Sequence, residues 1–285
     1  MQRKCLKSLQ FGLAVAFVGT LNASIITIPD SALTPTTSLY TNSFGSVVVM
    51  TGGGNANGAG DPSGRNDDGF SGPINLGFTL NYFGTNYTQF WINNNGNVSF
   101  GGGISDFTPN GPTGADEPII SPFFADVDTR NPASGVVMVN TSIPNEVIVT
   151  WNGVGYYDEN ANLLDTFQLV LRGPGFAIPP GQGQIGFFWT TMQWETGDAS
   201  GGSDGFGGTP AAVGFGDGNG NGQILQGSTM NGISSIVNDE EIWFDLSTTG
   251  VPTSTTPEPS SLGLTFTGLL AGFIWHRKHS KRVSN

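Results

Sequence analysis

The 285-residue chain has a single cysteine, Cys5, and two histidines, His276 and His279. Between residues 24 and 256 it has no cysteine, no histidine and no lysine. Each absence removes a class of chemistry. Without cysteine there is no disulfide framework, no zinc–thiolate site and no thiol nucleophile. Without an imidazole there is no Ser-His-Asp or Cys-His relay. Without lysine after a Gly-rich turn there is no phosphate loop. Arg65, Arg130 and Arg172 are the only cations of this stretch, against 21 acids, a net charge of −18. Binding to a phosphate backbone needs clustered Lys or Arg, so nucleic acid is excluded as a partner. A surface this acidic favours solubility and divalent cations. A helical apolar period of useful length is missing from the stretch as well.

What is present reads as β-structure. Gly (44) and Pro (17) make up about one fifth of the chain, short of the disordered range and suited to short strands with tight turns. In "INLGFTLNYF" Ile74, Leu76, Phe78, Leu80 and Tyr82 share one face, with polar or small residues on the other. Residues 87–92 and 98–100 flank "NNNGN", where Asn95-Gly96 signals a hairpin turn. Further strands are expected at 136–139, 146–151, 167–171, 184–194, 211–215 and 241–246. The expected fold class is all-β: a single β-sandwich or barrel-like domain with long Gly-rich loops. Residues 24–68 read as an irregular lead-in with a first strand at Ser46–Met50, and residues 69–247 as the β domain. No fixed-period repeat is present, which excludes a solenoid or propeller.

Both ends read as addresses, each with a helix outside the β domain. Residues 1–23 have a basic start, an apolar segment and a small residue at Ala23, the layout of a secretory signal peptide. At the other end a Ser/Thr-rich linker (248–256) leads to Pro257, Glu258 and Pro259. An apolar segment from Leu262 to Trp275 follows, and Arg277, Lys278, Lys281 and Arg282 close it. Fourteen residues is short for a bilayer of about 30 Å, and the basic tail would stay on the cytoplasmic side. Residues 257–285 resemble the PEP-CTERM sorting signal of Gram-negative bacteria. The resemblance implies an exosortase as partner, cleavage near residues 257–259, and release or anchoring at the cell surface. The short transmembrane helix would hold the chain in the membrane before processing. Such proteins often accompany exopolysaccharide production.

Five phrases of the body carry a second resemblance: "GFTLNYFGTNYTQFWINNNGNVSFG", "IISPFFADVDTR", "DTFQLVL", "IGFFWTTMQWETGDASGG" and "PAAVGFGDGNGNG". In this order they resemble the NIDO domain, the nidogen-like extracellular module. The resemblance implies a non-enzymatic secreted or cell-surface protein in cell–matrix adhesion or matrix assembly, with matrix protein or polysaccharide as partner. The cysteine-rich modules that accompany animal relatives are lacking here, so their partner network does not transfer.

Several residues stand out as candidate sites. Asp126 and Asp128 lie two apart. On one strand face their side chains would sit roughly 6.5–7 Å apart, inside the range of glycosidase carboxylates. They could instead bind calcium with Thr129 or Asn131, or satisfy a turn and pair with Arg130 or Arg172. No assisting residue marks a cleft, so catalysis is the weakest of the three. Asp217, Asn219 and Asn221 open an EF-hand-like phrase, but Ser228 stands where the closing Glu belongs. That leaves a calcium-binding turn or an Asn/Gly hairpin. Glu195 and Asp198 fall in a flexible acidic loop suited to contacts; "GGGNANGAGDPSGRNDDG" (52–69) has the same character. Tyr156 and Tyr157 are expected in an exposed turn, where they could stack on a sugar. The alternative to an adhesion protein is therefore a calcium-dependent exopolysaccharide-binding module, with calcium the one candidate cofactor.

Overall fold

In a computed structural model of the protein, residues 24–53 and 60–255 are described. The segments expected to be a signal peptide (1–23) and a sorting signal (257–285) lie outside the described residues. Two β-sheets form a sandwich. In the first, the order is Ile25–Ile28, Gly222–Leu225, Ala212–Asp217, Pro118–Phe124, Asn97–Ser99, Thr85–Asn93, Phe70–Ser71 and Met50–Thr51, with Ile74–Tyr82 also paired to Thr85–Asn93. In the second it is Pro252–Ser254, Glu240–Leu246, Ile185–Met192, Asn160–Arg172, Glu146–Tyr156, Val136–Asn140 and Ser46–Val47. Two short strands, Val127–Asp128 and Thr34–Pro35, lie beside its Glu146–Tyr156 and Glu240–Leu246 strands. No helix among the described residues is long and apolar enough to cross a membrane.

Period-2 patterning determines which side chains meet. Leu76, Phe78, Leu80 and Tyr82 are buried, as the alternation in that strand requires. In the second sheet Val147, Val149, Trp151, Phe167, Leu169, Leu171, Phe187 and Trp189 point into the main core. Trp151 stacks on Phe167 at 5.0 Å between ring centroids. Buried tryptophan keeps a polar N–H that needs an acceptor. Trp151 Nε1 donates to the Asn94 carbonyl and Trp189 Nε1 to the Pro122 carbonyl, each at 3.0 Å. Both bonds run from the second sheet to segments of the first and so pin one to the other.

The outer face of the second sheet is also covered. Ile148, Val170, Phe188 and Trp243 form a separate cluster, against which Leu39 and Tyr40 pack. Gln168 exchanges hydrogen bonds with the backbone of Thr41. The segment read as an irregular lead-in therefore supplies a cover for the sheet. The single strand expected at Ser46–Met50 is two short pairs. Ser46–Val47 joins the second sheet and Met50–Thr51 the first, so the chain changes sheets between them.

The Pro118–Asp128 segment makes the same change. Phe124 pairs with Ala212 in the first sheet, whereas Val127 pairs with Tyr156 in the second. Ala125 and Asp126 form the crossing. A crossing of this kind cannot satisfy its backbone in either ladder, so it needs partners from elsewhere. The "NNNGN" hairpin supplies them. Asn95 O accepts from Ala125 N–H, and Asn95 Oδ1 accepts from Val127 N–H at 2.9 Å. Gly96 holds φ +77°, and a Cβ there would lie 1.7 Å from the Phe123 carbonyl oxygen, so only glycine lets the hairpin close on this crossing.

Candidate functional site

Five segments meet at the end of the sandwich where the chain crosses at Asp126. They are residues 65–69, the 94–96 turn, 126–131, the 157–159 turn, and the 195–208 loop. Tyr157 N–H donates to the Asp126 carbonyl, and Asp198 N–H donates to the Tyr157 carbonyl. Arg65 locks the far side through its guanidinium, which donates to the carbonyls of Thr129, Asn131, Pro132 and Ser134.

Asp126 and Asp128 have different surroundings. Asp128 is fully buried and is the anchor of Arg130: its Oδ1 accepts from Arg130 N–H and Nε–H, both at 2.9 Å, and its Oδ2 accepts from Glu159 N–H at 2.8 Å. The same guanidinium reaches Asp67 at 3.3 Å and Asp158 at 2.9 Å. Arg172 takes no part here; it pairs with Glu146 at 2.7 Å on the covered outer face of the second sheet, beside Tyr40 and Trp243.

Asp126 is 1% exposed, and neither carboxylate oxygen has a hydrogen-bond partner. Its neighbours are other acids. Oxygens of Asp67, Asp68 and Asp126 all lie within 4.8 Å of one another. Burial, together with the charges of Asp68, Asp67 and Asp128, pushes the Asp126 carboxyl up to about 8. Burial and Asp68 do the same to Asp67, also to about 8. Burial raises Asp68 as well, against a hydrogen bond that Asn95 donates to its Oδ1 at 2.8 Å. Gly197 closes the site from the 195–208 loop: a Cβ there would lie 2.5 Å from Asp126 Oδ2.

Other expected residues fall differently. Tyr156 was expected to be exposed, but it is 1% exposed, packed on Trp194 at 5.4 Å, with its hydroxyl bonded to Asn162 Oδ1. The Glu146–Tyr156 strand runs further than its apolar core suggested, and its last inward position falls on Tyr156. Only Tyr157 remains partly open, with the Arg130 guanidinium 5.6 Å from its ring centroid. Glu195 was expected in a flexible loop, but it is 2% exposed. Its carboxylate accepts from Gly232 N–H, Ser234 N–H and Ser234 Oγ–H, and so caps the short Ile233–Val237 helix. Asp198 is exposed at the rim.

Asp217, Asn219 and Asn221 lie at the opposite end of the Pro118–Phe124 strand, since Asp217 pairs with Pro118. That is roughly 25 Å from Asp126 at strand spacing. There Asp217 Oδ1 accepts from Asn219 N–H and Asn221 N–H, and Oδ2 from Asn221 Nδ2. The carboxylate is spent on its own turn. The residues that sequence reading underweighted are Asn66, Asp67, Asp68, Asn94 and Asn95. Their signal was composition alone, an Asn-Asp-Asp run and an Asn run, each also the mark of a solvated turn.

The chain matches the family described as NIDO related over residues 33–251. Among similar proteins, alpha-tectorin of Mus musculus is 34% identical over 182 residues, and that of Homo sapiens 33% identical over 182. Alpha-tectorin of Gallus gallus is 32% identical over 184 residues. Each alignment covers 54% of this chain but 8% of the relative, so the chain spans a small part of those proteins' length. No solved structure matches. With a family match that takes in almost the whole sandwich, including both sheet crossings and the acidic end, this chain belongs to the NIDO-related family.

Proposed function

We propose that the protein is a non-enzymatic component of an extracellular matrix and holds a matrix protein at the acidic loop end of the sandwich. Membership of the NIDO-related family across residues 33–251 carries this reading. The lack of histidine, lysine and cysteine between residues 24 and 256 supports it, because no general base or nucleophile of those kinds stands beside the acids. Asp158 and Asp198 are exposed at this end. Phe107, 38% exposed, and Phe206, 46% exposed, belong to loops tied together there, since Ser200 Oγ–H donates to the Phe107 carbonyl and Ser203 and Phe206 exchange backbone bonds. Exposed rings among carboxylates suit a protein partner with a basic face. The sugar-platform reading loses its paired rings with the burial of Tyr156.

Export through the residue 1–23 segment would bring the protein to this setting. An exosortase acting at Pro257-Glu258-Pro259 would then release or anchor it at the cell surface. Intact-mass measurement of the surface-extracted protein tests that step: a C-terminus near residue 257 is expected, and an intact Asn285 overturns it. The partner reading is tested with immobilised full chain against matrix protein and polysaccharide fractions. The wild type is expected to retain a protein, and a D198K/F206S variant to bind it at least tenfold more weakly. Equal retention by the variant, or turnover of a polysaccharide, overturns the proposal.

A further inference from the structure

We propose that Asp67, Asp68 and Asp126, joined by the side-chain amide oxygens of Asn66 and Asn94, bind a calcium ion. The proposal does not depend on the matrix partner above. Three carboxylate oxygens that lie within 4.8 Å of one another fit around one ion, because two ligands at 2.3–2.6 Å from calcium are at most about 5 Å apart. Acidic clusters are common, and this one alone would say little. The neutral groups around it say more.

Asn94 is fully buried and its Oδ1 has no hydrogen-bond partner. Its position is fixed from two sides: its N–H donates to the Gly69 carbonyl, and its Nδ2 donates to the Val127 carbonyl. It is therefore held between the residue after Asp68 and the residue after Asp126. Asn66, 1% exposed and next to Asp67, has neither side-chain atom bonded, and its amide lies against Gly69. Thr196, also 1% exposed, has an unbonded hydroxyl and precedes the Gly197 that abuts Asp126. Buried polar groups almost always find partners. Here unpartnered oxygens collect on the same segments that carry the carboxylates, and a hard cation with six to eight oxygen ligands would satisfy them together.

Charge leads to the same ion. Arg130 already contacts Asp67, Asp128 and Asp158, which leaves Asp68 and Asp126 without a contacting cation. The ligand set is all oxygen, which disfavours zinc and copper. Magnesium keeps several waters, and a carboxylate as enclosed as that of Asp126 leaves little room for them.

The test uses the full chain, stripped with chelator and then titrated with calcium chloride at pH 7.5. Thermal melting and terbium luminescence are followed. With a Kd on the order of 10⁻⁴ M, 10 mM calcium should raise Tm by about 5–10 °C. The Asp126→Asn variant should melt no lower than the chelated wild type, since a like charge is removed, and should bind calcium at least tenfold more weakly. Asp217→Asn should respond as the wild type does. Should Asp126→Asn fail to fold, Asp68→Asn, which is only part-buried, serves in its place. An unchanged wild-type Tm, an equal response from the Asp126 or Asp68 variant, or a larger response to magnesium overturns the assignment.

Discussion

Arg172 and Arg130 each meet a buried carboxylate, and their surroundings are built on opposite plans. Arg172 is fully buried, and its Nε–H donates to Glu146 Oε2 at 2.7 Å. Its remaining donors go to the Gly183 carbonyl and Gln182 Oε1. Trp243, Phe176 and Tyr40 lie around its guanidinium at 4.3, 4.5 and 5.1 Å from their ring centroids. The Tyr40 hydroxyl also donates to Glu146. One charge meets one countercharge, and aromatic faces enclose the pair. Arg130 meets Asp67, Asp128 and Asp158 at once, with Asp68 and Asp126 close behind. A balanced pair is sufficient to hold a fold together. An excess of buried carboxylates costs stability unless the groups take up protons or a cation offsets their charge. The comparison therefore separates an ion pair kept for architecture from a cluster kept for binding.

The largest effect should come from breaking the balanced pair. Arg172→Ala leaves Glu146 buried and alone, and should cost about 3–5 kcal/mol in urea denaturation. Replacing both partners by apolar residues, Glu146→Leu with Arg172→Met, should recover most of that loss. If the double variant is no more stable than Arg172→Ala, the pair is doing more than neutralising itself. Next in size is Arg130→Gln, which should cost about 2–3 kcal/mol, less because that side chain keeps 12% of its exposure. It should also respond to calcium more strongly than the wild type, because the one competing cation has gone. A response equal to that of the wild type would mean that Arg130 and the ion do not share the acids.

The two arginine sites were not equally legible in the sequence. Alternation in "INLGFTLNYF", the Asn95-Gly96 turn and the apolar strand cores disclosed an all-β sandwich, because burial on one face leaves a period in the chain. Strand ends were less visible. Tyr156 looked like a turn residue because Gly153 and Gly155 precede it, yet the strand continues through both. The Arg172–Glu146 pair could not be read, since its members meet only when the Glu146–Tyr156 and Asn160–Arg172 strands register. The acidic cluster was half-readable. Asp126 was conspicuous beside Asp128, but its real neighbours, Asp67 and Asp68, come from a stretch some sixty residues earlier that looks like any solvated Gly/Asn turn. Only the sheet crossing at Ala125–Asp126 brings them together, and crossings leave no periodic signal.

Asp165 tests an intermediate case, a buried acid with donors but no cation. It is fully buried, and its Oδ1 accepts from Gln193 N–H and Trp194 N–H, with Oδ2 unpartnered. Burial outweighs those two bonds and holds its carboxyl well above the ordinary range. The native state thus keeps this proton over a pH interval in which the unfolded chain, with a pKa near 3.9, has lost it. The contribution to stability is present below about pH 4 and is lost as pH rises above it. Asp165→Asn should remove this slope and be more stable than the wild type at pH 7 by about 1–2 kcal/mol. Urea denaturation of both proteins at pH 4, 5.5 and 7 measures it, and parallel curves would refute the assignment.

The smallest effect should lie at the far end of the sandwich, where the Asp217 carboxylate is used up by its own turn. Asp217→Asn keeps one oxygen for the Asn219 and Asn221 N–H groups and loses a charge-assisted bond from Asn221 Nδ2. The group is part-exposed, so water replaces much of what is lost, and the cost should be about 0.5–1 kcal/mol. Calcium should move this variant's Tm as far as it moves that of the wild type. The two acidic ends resemble each other in composition and differ in one respect that the measurement isolates: at Asp217 the chain supplies a donor for both carboxylate oxygens, and at Asp126 it supplies none. A calcium response that disappeared in Asp217→Asn would show that unpartnered oxygens were the wrong guide to the ion.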